Sequence, residues 1–191
     1  MRHVISALVM NEPGVLANVA GMFAARGFNI DSLVVGRTEN PDLSRMTIVT
    51  TADENTLEQV RKQLAKLVPV VKVRDFKDAA YIERDLALIT VGVNSEHRGE
   101  VIQIANLFRA KVVDVAKSSV IVEMSGTEEK IEAFIELMKP YGITELARTG
   151  IIAMARGMQI GKDSAAAAAA AGGKQRKRSL DAPPAAALPP S

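Results

Sequence analysis

Cysteine is missing from the 191 residues of the sequence, and histidine occurs only twice, at His3 and His97. Without thiols the chain can form neither a disulfide nor a thiolate metal site, a composition typical of the reducing cytoplasm. Two histidines so far apart in sequence also argue against a histidine zinc site and against a Ser-His-Asp triad. We therefore expect a cytoplasmic protein that carries no metal of its own.

Long apolar runs are absent as well. No stretch approaches the roughly 18 consecutive apolar residues that a membrane-spanning helix requires, and the first residues lead directly into a patterned strand with no signal peptide before it. Aromatic residues make up only 4% of the chain, too few to supply a sheet surface on which RNA bases stack. These absences predict a protein that contacts neither a membrane nor nucleic acid.

The positive charge is concentrated at the C-terminal end. Residues 162–191 hold five basic and two acidic residues, whereas residues 1–161 hold 19 basic and 20 acidic ones. The same end contains an alanine block, a Gly-Gly pair, a Lys-Gln-Arg-Lys-Arg cluster and an Ala/Pro-rich stretch, with too few apolar side chains to offset the entropy of ordering. We predict that 161–191 is a disordered tail and interpret it as a solubilising extension; a segment that contacts nucleic acid or an acidic surface is the alternative.

Apolar periodicity divides the rest of the chain into two copies of one pattern. Alternating or β-branched runs indicate strands, and apolar residues at helical spacing indicate helices. The first half gives the order strand, helix, strand, strand, helix, strand, with the second strand at 28–36, and the second half repeats that order from Leu86 onward. The apolar stripe of the first helix comprises Val15, Leu16, Val19, Ala20 and Phe23.

Each copy of this βαββαβ order is typical of a ferredoxin-like domain, in which two helices cover one face of a four-stranded antiparallel sheet. The predicted fold class is α+β, with one domain at 1–78 and a second at 79–160. Apolar residues lie on both faces of the strands, since Leu33, Val34 and Val35 cannot all face the helices if side chains alternate. We expect another copy of the chain to cover the face that the helices leave open.

Motifs for catalysis are missing. Neither G-x-x-x-x-G-K-[ST] nor G-x-G-x-x-G occurs, so no phosphate-binding loop is predicted, and neither H-E-x-x-H nor H-x-E offers a metal site. An enzyme of acylphosphatase type on the same fold would need an arginine in the first strand-to-helix turn, and residues 11–16 contain none. We expect no catalytic residues in this chain.

One segment has binding chemistry: the turn at 11–16, Asn-Glu-Pro-Gly-Val-Leu, which joins the first strand to the first helix. Backbone N–H groups at a helix start lack internal partners and attract a carboxylate, and Gly14 lets a ligand approach the backbone closely. Amide side chains add polar contacts, and apolar ones surround a small apolar group. The candidate residues are Asn11, Gly14, Leu16, Asn29, Ile30 and Val35. The alternative left open is a strand-to-helix turn that is capped and binds nothing.

Six separated segments of the sequence resemble one protein family. They are residues 11–16, 26–33, 43–48, 58–67, 108–115 and 147–150. The first two resemble the opening of an ACT domain, and the six together are similar to the small, regulatory subunit of acetolactate synthase, also called acetohydroxyacid synthase. The resemblance covers about residues 1–160 and does not extend to the tail.

This resemblance implies a non-catalytic subunit that binds the catalytic (large) subunit of acetolactate synthase, activates it and confers feedback inhibition by valine or another branched-chain amino acid. Thiamine diphosphate, magnesium and FAD are then expected in that partner and not in this chain. A homodimer through the ACT domains is implied as well, with the effector at the interface. The residues carried over are Asn11, Gly14, Val15 and Leu16 of one protomer and Asn29 and Ile30 of the other.

The matching turn of the second domain, 94–99, reads Asn-Ser-Glu-His-Arg-Gly and lacks the Asn-x-Pro-Gly pattern. We place no effector there and expect His97 to be a solvated loop residue, whereas the resemblance implies that this domain contacts the catalytic subunit. One alternative function stays open from the sequence: a free-standing amino-acid-sensing ACT protein that regulates another partner. Co-purification of a large thiamine-dependent subunit with the chain separates the two.

Deletion of residues 162–191 is expected to leave activation of the catalytic subunit and its inhibition by valine unchanged, because a solubilising tail takes no part in either. The measurement is the activity of the catalytic subunit reconstituted with the full or the shortened chain over a valine titration. Loss of either response in the shortened chain would show that the tail has a further role.

Overall fold

A computed structural model of the chain describes residues 1–77 and 79–157. The predicted tail at 161–191 lies outside the described residues, and its disorder stays a prediction. The described part forms two successive units, each with four antiparallel strands in one sheet and two helices packed on that sheet. The fold class predicted from the sequence, α+β with two ferredoxin-like units, is confirmed.

The first unit packs both of its helices on one face of its sheet. Its elements are β1 (Arg2–Met10), α1 (Val15–Ala24), β2 (Ser32–Arg37), β3 (Leu43–Thr51), α2 (Glu54–Lys66) and β4 (Val70–Asp75). The strands lie in the order β2-β3-β1-β4, so β2 is an edge strand. Alternate residues of β1, from Ile5 to Val9, pack with Phe23 of α1 and Leu64 of α2, as the period of a half-buried strand requires.

The second unit repeats this arrangement. Its elements are β5 (Tyr81–Gly92), α3 (Arg98–Leu107), β6 (Lys111–Val115), β7 (Ser119–Gly126), α4 (Glu128–Met138), a short 3₁₀ helix (Lys139–Tyr141), β8 (Ile143–Arg148) and β9 (Ile152–Ala155). The sheet order is β6-β7-β5-β8, and β9 pairs separately with β5. Ile89 of β5, Val122 of β7 and Phe134 of α4 are fully buried in its core. Within residues 1–77 and 79–157, none of the helices combines the length and apolar character needed to cross a bilayer.

The second strand begins later than the sequence pattern predicts. The pattern places it at 28–36, whereas β2 spans Ser32–Arg37. The residues just before β2 make side-chain hydrogen bonds: the Asn29 side-chain amide donates to the Asp31 carboxylate at 2.6 Å, and the Thr51 hydroxyl donates to the same carboxylate at 2.9 Å. The Asp31 backbone N–H makes a single bond to β3, donating to the Val49 carbonyl at 2.9 Å. Side-chain bonds of this kind compete with a regular ladder. Asn29 therefore lies on a connection before the edge strand and not within it.

The fifth strand is longer than predicted and joins the two units. Its first residues, Tyr81 to Arg84, pair with β9 to form a two-stranded ribbon. The side of this ribbon that carries Ala153, together with the preceding Ile151, packs on the face of the first sheet that the helices leave open. The joint cluster consists of Val4, Val49, Phe76, Ile151 and Ala153. The chain's own second unit thus covers a part of the face for which we expected another copy.

Two ion pairs of Arg2 lie beside this junction between the units. The Arg2 guanidinium lies 3.3 Å from the Glu83 carboxylate on β5 and 2.9 Å from the Glu128 carboxylate at the start of α4. Burial works to lower the pKa of Arg2, and the two carboxylates outweigh it, so the pKa is raised overall. These side chains are partly exposed, so the pairs orient the junction more than they stabilise it. The apolar cluster beneath them is the main source of stability.

Ile151→Ala is expected to lower the free energy of unfolding by about 2–4 kcal/mol, because it opens a cavity between the two units. Ile151 is 2% exposed, whereas its neighbour Ile152 is 52% exposed and points away from the first sheet. Ile152→Ala is therefore the matched control, with an expected change within about 0.5 kcal/mol. Urea unfolding of the full chain measures both; equal losses would contradict the packing of this cluster.

Candidate functional site

The turn between β1 and α1 leaves the start of the helix without a side-chain cap. Gly14 occupies the capping position with φ of 83° and no side chain to accept from the first-turn N–H groups. At α2, by contrast, the Asp53 carboxylate accepts from the backbone N–H of Thr56 at 2.7 Å. Open N–H groups and the positive end of the helix dipole favour a carboxylate at this turn. A ligand can approach closely, since a Cβ at Gly14 would meet nothing within 4 Å.

Asn11 fixes the position of this turn. Its side-chain amide donates to the Pro41 carbonyl at 2.9 Å, its amide oxygen accepts from the Ser44 hydroxyl at 3.2 Å, and its backbone N–H donates to the Asp42 carbonyl at 2.8 Å. The turn is therefore tied to the loop between β2 and β3. One lone pair of the amide oxygen stays available to a ligand. Ser44 was missed by sequence reasoning, because its partner is 33 residues away and no motif joins them.

The two residues that begin α1 have different surroundings. Val15 is 4% exposed and packs in the core of the first unit, so its side chain is not available to a ligand, and its backbone N–H already donates to the Glu12 carbonyl at 3.4 Å. Leu16 is 47% exposed, and Val35 on the edge strand is 43% exposed. Both side chains are on the side of the first sheet that the helices cover, and an apolar ligand group can replace the water around them.

Asn29 and Ile30 form the second group of predicted site residues. Asn29 is exposed, and its backbone carbonyl accepts from the Thr50 hydroxyl at 2.7 Å. Ile30 is half-buried against the core of the first unit. The bond from Asn29 to the Asp31 carboxylate orients the amide and leaves its oxygen free to accept from an ammonium group.

Within one chain these two groups lie at opposite ends of the sheet. Asn11 is bonded to Ser44, near the start of β3, and Asn29 is bonded to Thr50, near its end. Six residues of extended strand span about 20 Å, far more than the length of a single amino acid. The structure thus places each predicted residue at the surface or the core as described, but it does not bring the two groups together in one protomer.

The turn of the second unit that corresponds to residues 11–16 is built differently. Its backbone N–H groups at Glu96 and His97 both donate to the Asn94 side-chain oxygen, at 3.2 and 3.1 Å. These two N–H groups precede the helix, and the first turn of α3 itself has no side-chain cap. A cavity of about 860 Å³ adjoins this turn. His97 is exposed, as predicted, and its ring lies 3.2 Å from the Glu100 carboxylate.

Family models match both units. Residues 5–72 match the model described as AHAS small subunit-like ACT domain, and residues 84–157 match the model described as small subunit of acetolactate synthase. AHAS abbreviates acetohydroxyacid synthase, the other name of the same enzyme.

Curated relatives and a solved structure extend over the same region. The chain is 55% identical over 157 residues to a probable acetolactate synthase small subunit of Archaeoglobus fulgidus, covering 82% of this chain and 98% of that protein. It is 48% identical over 155 residues to the acetolactate synthase small subunit of Mycolicibacterium smegmatis, covering 81% and 91%. The crystal structure of the acetolactate synthase small subunit from Thermotoga maritima superposes with a TM-score of 0.76 at 44% identity, over 83% of this chain and 99% of that one.

Proposed function

This chain belongs to the acetolactate synthase small-subunit family, and we propose on that premise that it activates a catalytic acetolactate synthase subunit and inhibits it when valine or another branched-chain amino acid binds. On this proposal the chain itself performs no chemistry. Thiamine diphosphate, magnesium and FAD would be held by the catalytic partner, and the thiamine diphosphate there would supply the chemistry that condenses 2-oxo acids. This chain supplies binding, position and regulation.

The observation that carries the effector site is the uncapped start of α1. Its open N–H groups, next to Gly14, suit the carboxylate of an amino acid. The amide oxygens of Asn11 and Asn29 suit its ammonium group, which needs acceptors. The exposed side chain of Leu16 and the half-buried Ile30 suit a small apolar side chain such as that of valine.

A second copy of the chain completes this site. β2 is an edge strand, and an edge strand offers unpaired backbone groups for pairing with another chain. In register, Ser32 lies opposite Val49 and Arg37 opposite Ser44, so β2 runs from the Asn29 end of the sheet towards the Asn11 end. Antiparallel pairing of two such strands about a two-fold axis brings Asn29 of one protomer towards the turn of the other.

A site shared between two protomers also supplies the means of regulation. A ligand that contacts both chains binds more tightly to the dimer arrangement in which those contacts are made. Its binding shifts the population towards that arrangement, to an extent set by the difference in affinity between the arrangements. A catalytic subunit that binds the same dimer is then coupled to the ligand, and the coupling acts equally in both directions. Valine binding and catalytic-subunit activity are thereby linked without a catalytic residue in this chain.

Gly14→Asp is expected to abolish valine binding and inhibition while the fold is kept, because a carboxylate then occupies the place of the ligand's own. The substitution meets no neighbouring atom, and aspartate tolerates the left-handed conformation better than most residues. Gly14→Asn is the matched control: it has the same shape without the charge, and it should retain measurable valine binding. Calorimetric titration of valine into each chain gives the answer, and full inhibition of the Gly14→Asp complex would count against this site.

Val35→Lys is expected to weaken dimer formation by at least tenfold, since Val35 lies on the pairing edge and two lysines would meet near the two-fold axis. Leu137→Lys is the matched control: Leu137 lies on α4 of the second unit and is 47% exposed, close to the 43% of Val35. Molar mass by light scattering over a dilution series distinguishes them. An undisturbed dimer in the Val35→Lys chain would exclude pairing through β2.

A further inference from the structure

Asp85 is the most deeply buried carboxylate of the second unit that the structure describes, at 2% exposure. One of its oxygens accepts from the Arg148 guanidinium, from Nε at 2.8 Å and from Nη2 at 2.5 Å. The other accepts from the Thr149 hydroxyl at 3.2 Å and from the Gly150 backbone N–H at 3.1 Å. A buried charge is tolerated only when it is paired in this manner. All four bonds run to the short turn that leads from β8 to β9.

Arg148 is held from a second side. Its guanidinium also donates to the Glu132 carboxylate on α4. Burial works to lower the pKa of Arg148, and the hydrogen bonds and charges of Asp85 and Glu132 outweigh it, so that the pKa is raised. The turn at 148–150 is therefore fixed to both the sheet and a helix of the second unit.

The far side of the same turn lies against the edge strand of the first unit. Gly150 has φ of 84°, and a Cβ built on it would lie 2.5 Å from the Ser32 hydroxyl oxygen and 3.0 Å from a Val34 methyl carbon. The Gly150 backbone thus makes a contact that no larger residue could make without a shift. Ser32 and Val34 begin β2, directly after the connection that carries Asn29 and Ile30.

From this geometry we propose that Asp85 is a positioning residue for regulation. It holds the 148–150 turn against β2 and so couples the effector site, whose residues Asn29 and Ile30 lie on the connection just before β2, to the second unit. The inference rests on the proposed function, because it concerns how the signal of that same site is passed on. Its physical basis is a series of direct contacts, from Asp85 to the Gly150 N–H and from Gly150 to Ser32 and Val34.

Rigid contact at this point means that a shift of β2 displaces the turn, and with it the sheet edge and α4 of the second unit. Packed elements transmit such shifts because they cannot deform continuously. The coupling free energy then depends on the turn being fixed, whereas the contacts of the effector itself do not. A variant in which the turn is held less firmly is therefore expected to bind the effector normally but to transmit less inhibition to the catalytic subunit.

The experiment compares Asp85→Asn and Gly150→Ala with the unmodified full chain. Asp85→Asn keeps the shape but removes the charge, and Gly150→Ala introduces a Cβ where Ser32 and Val34 already lie. Valine binding by calorimetry is expected to stay within about threefold of the unmodified chain. Inhibition of the reconstituted catalytic subunit at saturating valine is expected to fall below about half of the inhibition given by the unmodified chain. Activation of the catalytic subunit in the absence of valine is expected to be unchanged.

Two further variants separate the contact from a general loss of structure. Gly157→Ala is the matched control, because Gly157 has nearly the same φ, 85°, and a Cβ there meets nothing within 4 Å; its inhibition should equal that of the unmodified chain. Ser32→Ala removes the oxygen nearest to the new methyl group, so the pair Gly150→Ala with Ser32→Ala should regain inhibition.

Full inhibition of both Asp85→Asn and Gly150→Ala would overturn the inference and leave the proposed function intact. An equal loss in Gly157→Ala would also overturn it, since the effect would then come from backbone strain alone. Failure of the unmodified chain to bind valine, alone or with the catalytic subunit, would contradict the proposed function itself.

Discussion

The length of strand β3 determines which of the predicted effector-site residues can lie close together in one chain. β3 holds Asn11 through Ser44 near its start and Asn29 through Thr50 near its end, and an extended strand cannot shorten the distance between them. The turn at 11–16 and the side chain of Asn29 therefore cannot both contact one small amino acid within a single protomer. In the dimer that we propose, a second copy paired through the edge strand β2 brings the two groups together, and effector binding then depends on how the two chains are arranged.

A second consequence concerns the other half of the chain. The ribbon of β5 and β9 packs on the first sheet through Ile151 and Ala153, so the two ferredoxin-like units share a core and are not two domains on a flexible tether. Asp85 fixes the turn that precedes β9, and Gly150 in that turn lies on β2. β2, the strand that we propose to pair with a partner protomer, is thus in contact with the second unit of its own chain.

Features that depend on local chemistry were predictable from the sequence. The ferredoxin-like order followed from apolar periodicity, and the turn at 11–16 stood out because glycine at a helix start has a local meaning. Asp85 did not stand out: it precedes an apolar run and looks like a polar flank, because its partners lie more than 60 residues further along the chain. The start of β2 was placed too early, since side-chain bonds around Asp31 override the strand propensity of its neighbours.

The most direct test of a site shared between protomers mixes two defective chains. Gly14→Asp damages the turn and Asn29→Ala removes the amide, so neither chain alone should bind valine. After subunit exchange in an equal mixture, each hybrid dimer combines one intact turn with one intact Asn29, and calorimetry should show about one site per four chains. No recovery of binding in the mixture, with hybrid dimers shown to form, would place the site within one protomer and contradict this account.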